Sequence, residues 1–251
     1  MQYLDTLILA ILQGLTEFLP ISSSGHLVIG QKLLDIKLPG NAFEVVLHIG
    51  TLMSVLTVFR IELKTILFNL NDPSTRYYIS ALVFGTIPAI LVGLLLKDYI
   101  SLIFDNIQFV SISLVFTGIM LIASKFIIKR NVNLTLFIAI IIGLAQAAAI
   151  IPGISRSGAT ICMGILMGLS ASEAARFSFL LSIPVIIGAA FLTAMNIETI
   201  PFGLDIVLLG VVFSYLVGWV SLKWLLNILS SGKLYWFGVY CLIIGLFFYI
   251  S

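Results

Sequence analysis

The sequence predicts an all-α integral membrane protein, and its composition together with its long apolar runs carries that prediction. Of its 251 residues, 61% are hydrophobic and 10% are charged, whereas soluble domains average roughly 45–50% and 25%. A soluble fold of this length could not bury so much apolar surface beneath a polar exterior. We therefore expect a single polytopic membrane domain over 1–251.

Charge and cysteine content exclude other classes of protein. The chain has 13 Lys and Arg against 11 Asp and Glu, for a formal net charge of +2. This balance, without a long basic run, predicts no nucleic-acid partner. Cys162 and Cys241 both lie inside apolar runs, so they fit neither a disulfide framework nor a metal knuckle.

Six apolar runs are long enough to cross a bilayer core, which takes about 20 helical residues. They cover 43–59, 77–96, 107–127, 174–195, 204–226 and 234–250. Two further apolar stretches, 4–34 and 134–169, are broken by segments rich in Pro, Ser and Gly. The arm after each break has about ten residues, or roughly 15 Å of helix, which is too short to cross. We expect two re-entrant helical hairpins in addition to six spans.

The two hairpins resemble each other, which predicts an internal repeat. At a shift of 133 positions, five residues of the first hairpin coincide with five of the second: Gln13, Ile21, Ser22, Ser24 and Gly25 with Gln146, Ile154, Ser155, Ser157 and Gly158. Each hairpin precedes three spans, and an odd number of crossings inverts the second copy. The sequence therefore predicts an inverted-topology repeat, with copies at about 1–128 and about 134–251.

Positive charge predicts the orientation. Predicted loops on one side carry nine Lys and Arg, namely Arg60, Lys64, Arg76, Lys125, Lys129, Arg130, Arg176, Lys223 and Lys233. The other side carries three, namely Lys32, Lys37 and Lys97. The side richer in Lys and Arg should be cytoplasmic. The first hairpin then enters from outside, and a site within it opens toward the outer face.

The break of the first hairpin holds the first group of candidate site residues. Non-helical backbone at membrane depth needs protein or a watery cavity to satisfy it, and ionisable residues there indicate function. Gln13 and Glu17 lie one helical turn apart on one face. One carboxylate and one amide oxygen suit Mg²⁺, which completes its shell with water and substrate phosphate. The alternative is a structural carboxylate that is hydrogen-bonded to Ser22 or Ser24.

His26 follows the serines of the same break. An imidazole beside hydroxyls and a carboxylate can transfer a proton. Ser22, Ser23 and Ser24 are also ordinary helix-capping residues, so we expect at most one of them to react. His48 lies within the first full span, and we expect it to be structural, as lone histidines more often are.

The second break predicts an anion site. Gly153 and Gly158 allow a tight turn, and the helix that follows begins with free N–H groups. Arg156 adds a guanidinium fork suited to phosphate oxygens. Hydroxyl donors follow at Ser155, Ser157 and Thr160. Alternatively, Arg156 pairs with Glu17 for a structural purpose.

Three segments together resemble a known family: Gln13-Gly-Leu-Thr-Glu17-Phe-Leu-Pro20, Ser22-Ser-Ser-Gly-His26 and Pro152-Gly-Ile-Ser-Arg-Ser-Gly158-Ala-Thr160. They look like the signatures of the bacitracin-resistance family of undecaprenyl-diphosphate phosphatases, and the likeness covers essentially the whole chain. It implies hydrolysis of the carrier lipid diphosphate in the bacterial plasma membrane, with recycling of the carrier for peptidoglycan synthesis and resistance to bacitracin.

The resemblance also implies site residues and a cofactor. The family roles fall on Glu17, Ser23, His26 and Arg156, with a divalent cation, Mg²⁺ or Ca²⁺. The family pattern has Glu or Gln at its first position, and this chain has Gln13 there, so Glu17 is the single acid of the motif.

Three questions stay open at the level of sequence. The nucleophile is either Ser23 or a water activated by His26 or Glu17. The alternative function is a secondary transporter or flippase for an anionic substrate, because inverted repeats with broken helices are common among transporters. A homodimer is one of the oligomeric states that the sequence leaves open.

Overall fold

The computed structural model describes residues 2–36, 42–96, 106–127, 131–196, 202–230 and 232–250. Within these residues the chain forms eleven α-helices and one 3₁₀ turn (Ser124–Phe126), and no strand. The helices are α1 (Tyr3–Thr16), α2 (Ser23–Leu33), α3 (Ala42–Val58), α4 (Arg60–Phe68), α5 (Pro73–Leu95), α6 (Ile107–Ala123), α7 (Leu136–Ala148), α8 (Arg156–Leu166), α9 (Ala171–Asn196), α10 (Leu204–Ser230) and α11 (Tyr235–Ile250).

Several helices are long and apolar enough to cross a membrane, which confirms a multi-pass helical membrane protein. Four of the described helices meet this condition, namely α5, α6 with its 3₁₀ turn, α9 and α10. A fifth span results if α3 and α4 count as one, although the chain bends by 70° between them. The predicted span 43–59 thus corresponds to α3. The predicted span 234–250 corresponds to α11, which has only 16 residues.

Polar caps extend some helices beyond the apolar runs that predicted them. α5 begins four residues before the predicted run, at Pro73, because Asp72 caps it by accepting from the Thr75 N–H at 3.0 Å. Pro73, at the first helical position, has no backbone N–H and therefore needs no acceptor there. The Ser74 hydroxyl also donates to this carboxylate and, with the Thr75 N–H, lowers the pKa of Asp72.

Each predicted hairpin consists of a helix, a break and a second helix, and each of these helices is shorter than a full span. α1 has 14 residues and α7 has 13, or about 20 Å of helix each, against a hydrocarbon core of about 30 Å. The arms that follow, α2 and α8, have 11 residues each. Each break contains a residue with left-handed backbone, Ser22 (φ +68°) in the first and Gly153 (φ +91°) in the second.

The tips of the two hairpins contact each other in the interior. The Ser157 hydroxyl donates to the carbonyl of Leu19 at 3.3 Å. From α6, Thr117 donates to the Gly153 carbonyl and accepts from the Ser155 N–H, both at 3.1 Å. The backbone polar groups of the second break therefore find partners within the protein, as membrane depth requires.

Each hairpin packs against a long helix from the other half of the chain. α1 runs parallel to α10, with the Tyr3 hydroxyl bonded to Asp205 and the Ser221 hydroxyl donating to the Leu15 carbonyl. α7 runs parallel to α5, and its first N–H, at Leu136, donates to the Tyr77 hydroxyl at 3.1 Å. We call the end of the bundle at which α1 and α10 begin the Tyr3 end. The end at which α5 and α7 begin is the Tyr77 end.

The remaining long helices follow the same two directions. α9 runs parallel to α5, because Tyr78 contacts Phe177 with ring centroids 6.0 Å apart, near the start of both helices. α3 runs antiparallel to α9. Phe59, directly after the end of α3, packs near the start of α9, with its ring centroid 6.1 Å from that of Phe179. α6 and α11 cross closely, since a Cβ on Gly118 would lie 2.8 Å from the Gly238 carbonyl oxygen. Small residues at such crossings let helices approach in a membrane.

Candidate functional site

A cavity of about 300 Å³ lies where the two breaks meet α3, α5 and α9. Its described lining is polar at the breaks and largely apolar on the long helices. The lining residues are Glu17, Ser22, Ser23, Ser24, Glu44, Val45, His48, Ala89, Gln146, Ala149, Ile150, Ile154, Ser155, Arg156, Val185, Ile186, Ala189, Ala190 and Thr193.

Glu17 is the centre of the polar part. Its Oε2 accepts from the Ser23 hydroxyl at 2.6 Å and from the Gln13 amide at 3.1 Å. Its Oε1 accepts from Nη2 of Arg156 at 2.5 Å. The Glu17 side chain is only 5% exposed, and a buried carboxylate needs such partners. The pair between Glu17 and Arg156 joins the two hairpins across the cavity.

Arg156 is the first residue of α8 and therefore lies beside the N–H groups that begin this helix. Ser155 caps this helix by accepting from the Gly158 N–H at 3.0 Å. One guanidinium nitrogen of Arg156 binds Glu17, while the other, Nη1, is buried and has no hydrogen-bond partner. An anion in the cavity can therefore bind a guanidinium that Glu17 already orients.

His48, which we expected to be structural, lines the cavity. Its Nδ1 lies 2.7 Å from the Glu44 carbonyl, which only accepts, so Nδ1 carries a proton. Its Nε2 lies 3.4 Å from Oε2 of Glu17. The sequence offered a signal that we did not use: Glu44 and His48 are two ionisable residues one turn apart in an otherwise apolar span.

His26 faces away from the polar part of the cavity and is not among its lining residues. Its Nδ1 donates to the Ser22 carbonyl at 2.8 Å, and its Nε2 accepts from the Tyr240 hydroxyl at 2.8 Å. The two rings also stack, with centroids 5.6 Å apart. His26 thereby ties the backbone of the first break to α11.

The predicted hydroxyl ligands divide into two groups. Ser22, Ser24 and Ser155 line the cavity, and Ser22 also caps α2 by accepting from the Gly25 N–H. Ser157 and Thr160 bond within the protein, to the Leu19 carbonyl and to the Arg156 carbonyl. These two residues and Gly153 do not line the cavity.

The residues present fit a divalent cation only as a partial set of ligands. Oε1 of Gln13 is buried and has no hydrogen-bond partner, and it lies on the amide that binds Glu17. Among the described residues, no group of three or more His, Cys, Asp or Glu is placed to hold a metal. A cation would therefore take oxygens from Glu17 and Gln13 and its remaining ligands from water and a bound anion.

Most of the remaining cavity wall is apolar and is supplied mainly by α9, with Gln146 and Thr193 as polar residues in it. Val185, Ile186, Ala189 and Ala190 lie on α9, and Ala89 faces them from α5. Outside the cavity, both helices expose large apolar side chains such as Ile187. The cavity therefore suits a ligand with an anionic head and an apolar chain.

Comparison with known proteins gives consistent matches over nearly the whole chain. The family model of the bacitracin resistance protein BacA matches residues 6–247. Undecaprenyl-diphosphatase 2 of Bacillus thuringiensis (strain Al Hakam) is 42% identical over 257 residues, covering 96% of this chain and 95% of the relative. The undecaprenyl-diphosphatase of Bacteroides thetaiotaomicron is 39% identical, covering 98% and 97%. That of Halothermothrix orenii is also 39% identical, covering 98% and 96%.

Proposed function

The chain belongs to the bacitracin resistance protein BacA family, and on that premise we propose that it hydrolyses undecaprenyl diphosphate to undecaprenyl phosphate and inorganic phosphate. The observation that carries the proposal is the Ser23–Glu17–Arg156 arrangement in a cavity with an apolar wall. This activity recycles the carrier lipid for peptidoglycan synthesis and gives resistance to bacitracin.

Ser23 is the nucleophile in this proposal. Its oxygen attacks the terminal phosphorus, and its proton passes to Oε2 of Glu17, 2.6 Å away. The bond between that phosphorus and the bridging oxygen breaks, and undecaprenyl phosphate leaves with the electron pair. Water then hydrolyses the phosphoserine and releases inorganic phosphate. A hydroxyl that is hydrogen-bonded to a carboxylate base is one arrangement that activates a nucleophile.

Arg156 supplies the electrostatic part of the reaction. The transferring phosphoryl group carries its charge on three equatorial oxygens, so catalysis depends mainly on position and fixed positive charge. Nη1 of Arg156 and the N–H groups that begin α8 are the donors for those oxygens. Because Nη2 remains on Glu17, base and phosphate are held in one geometry.

The two histidines act through other residues. His48 approaches the oxygen of Glu17 that accepts from Ser23, so it helps to orient that base. His26 fixes the first break through the Ser22 carbonyl and Tyr240, which positions Ser23 one residue further on. The proton transfer that we predicted for His26 from its place in the sequence has less support in this geometry than transfer to Glu17.

The proposal includes a divalent cation, Mg²⁺ or Ca²⁺, that binds together with the substrate. When bound, it would neutralise charge on the diphosphate oxygens. Glu17 and the free amide oxygen of Gln13 are the residues that would hold it.

We also propose six spans and two re-entrant hairpins related as an inverted repeat. Reciprocal packing supports this, since the first hairpin helix lies along α10 and the second lies along α5, each in the other half. The directions agree as well, because α1 begins at the Tyr3 end and α7 begins at the Tyr77 end.

The outward opening of the site rests on two observations taken together, the end of the bundle at which the cavity lies and the charge bias that assigns that end to the outside. The long helices contribute to the cavity only from their halves nearest the Tyr3 end, as Glu44, Ala89 and Thr193 illustrate. The charge bias points the same way, although Lys37, Lys97, Lys129 and Arg130 lie outside the described residues. Of the other loop cations, seven belong to the predicted inner side and one, Lys32, to the outer side. The site then faces the outer leaflet of the bacterial plasma membrane.

Phosphate release in detergent tests the proposed function. Purified protein with C55 or shorter prenyl diphosphates should release inorganic phosphate with Mg²⁺ or Ca²⁺ present, although no sealed compartment exists. A transporter or flippase would show no turnover under these conditions. Absence of release from every prenyl diphosphate would overturn the assignment as a hydrolase.

A further inference from the structure

Gln146 is a buried polar side chain that the reaction described above does not use. It lies in the last turn of α7, is 1% exposed and lines the cavity. Neither its amide nitrogen nor its amide oxygen has a hydrogen-bond partner. Burial of an unpaired amide is costly. Its counterpart in the first hairpin, Gln13, instead donates to Glu17.

The lining residues that lie nearest to Gln146 along the chain are apolar. Ala149 and Ile150, about one turn further along the chain, line the same space. In contrast, Glu17, Ser23 and Arg156 already bond to one another. A diphosphate with its terminal phosphorus at Ser23 must place its other phosphate between that polar group and the apolar wall.

We propose that Gln146 binds the phosphate that is esterified to the prenyl chain. The inference rests on the proposed function and assigns one half of the substrate to one side chain. When Ser23 attacks, the breaking bond leaves its electron pair on the bridging oxygen of this phosphate. The two N–H donors of Gln146 bind its oxygens and stabilise the charge that develops on the leaving lipid monophosphate.

The test separates the two halves of the product. We would measure inhibition of farnesyl diphosphate hydrolysis by farnesyl monophosphate, the lipid half, and by inorganic phosphate, the terminal half. For Gln146→Leu, we expect kcat/KM to fall about ten- to a hundredfold, as for a lost hydrogen bond to a charged group. The inhibition constant of farnesyl monophosphate should rise by a similar factor, while that of inorganic phosphate should stay within about twofold. For Gln146→Glu, kcat/KM should fall further, because the added carboxylate repels the negatively charged phosphate.

Thermal unfolding in detergent provides a readout that needs no turnover. Because Gln146→Leu removes an unpaired buried amide, the Tm of the ligand-free variant should equal or exceed that of the parent. Farnesyl monophosphate should raise the Tm of the parent and raise that of the variant less. The matched control is Gln108→Leu, at an exposed position of α6, which should leave every quantity unchanged.

Two results would overturn the inference. A change confined to the inhibition constant of inorganic phosphate would assign Gln146 to the terminal phosphate. Unchanged inhibition by both products would make Gln146 structural, whether or not the ligand-free Tm falls. If the parent protein releases no phosphate, the proposed function fails, and the Tm shifts still report whether Gln146 binds a prenyl phosphate.

Discussion

The hydroxyl of Ser23 donates to Oε2 of Glu17 at 2.6 Å, although Glu17 directly follows the first helix of the broken pair and Ser23 begins the second. α1 ends at Thr16 and α2 begins at Ser23, so the break folds the hydroxyl back onto the carboxylate. Because Arg156 from the second hairpin holds the other carboxylate oxygen, both breaks together fix the orientation of the base.

The first prediction concerns the nucleophile. If Ser23 attacks phosphorus, Ser23→Ala should lose nearly all activity, and rapid quench at low pH should trap a phosphoserine in the parent protein. If water attacks instead, the variant loses only a hydrogen bond, on the order of 1–3 kcal/mol, or about ten- to a hundredfold in rate.

The trapped adduct decides between the two routes, and residual activity provides a second criterion. A Ser23→Ala variant that retains a tenth or more of the parent rate would refute the serine route. Ser80→Ala is the matched control. Ser80 lies in α5, its hydroxyl donates to the Tyr77 carbonyl, and it does not line the cavity.

The sequence predicted the two breaks but not which of their side chains point into the cavity. Ser23, Glu17 and Arg156, which are candidate residues from the two motifs, lie together in the structure. His26 and Thr160 lie in the same motifs, but their side chains turn away from the cavity. Helix phase after an irregular break sets these directions, and a pattern of residues does not encode that phase.

His48 shows the opposite limitation. Sequence reasoning set it aside because a lone histidine in an apolar span is commonly structural. The packing of α3 against the first hairpin brings Nε2 of His48 to within 3.4 Å of Oε2 of Glu17. Such contacts between distant segments depend on tertiary packing. The apolar runs predicted most helix positions well, yet they did not predict the 70° bend between α3 and α4.

The second prediction concerns the divalent cation. Glu17→Gln should abolish activity, because it removes both the base and the single carboxylate of the motif. Gln13→Glu should keep activity and lower the Mg²⁺ concentration that gives half-maximal rate, because Mg²⁺ takes carboxylate oxygens readily. A Mg²⁺ titration of phosphate release measures both. If Glu17→Gln keeps its activity, Glu17 is neither the base nor a required ligand of the cation.

The third prediction assigns His48 a positioning role. His48→Ala should lower kcat on the order of tenfold, as for the loss of about one hydrogen bond, with little change in KM. His48→Gln should recover most of that rate, since its amide can donate to Oε2 of Glu17 as the doubly protonated imidazole does. Steady-state kinetics with farnesyl diphosphate separates the two constants. A raised KM with unchanged kcat would indicate that His48 binds substrate instead.

The fourth prediction concerns orientation. Cysteines placed at Lys32, at the end of α2, and at Lys64, in α4, should react with an impermeant thiol reagent from outside and from inside respectively. Both positions are exposed, and the native Cys162 and Cys241 are buried, so the parent protein should label poorly. The reverse pattern in intact cells would overturn the topology.

The fifth prediction concerns the backbone of the second break. Gly153 has a φ of +91°, and a Cβ there would lie 2.6 Å from Cβ of Ser113. Left-handed backbone costs a residue with a side chain roughly 1–2 kcal/mol, and the clash adds to this cost. Gly153→Ala should therefore lower the Tm in detergent. It should also reduce activity, because the displaced chain carries Ser155 and Arg156 two and three residues later.

Gly188→Ala is the matched control for this substitution. Gly188 lies inside α9, and a Cβ there would meet nothing within 4 Å, so alanine should raise the Tm slightly through its better helix propensity. The comparison isolates the demand of the break from the general effect of an added methyl group. If Gly153→Ala keeps both the Tm and the rate of the parent, then the position of Arg156 does not depend on the backbone that Gly153 allows.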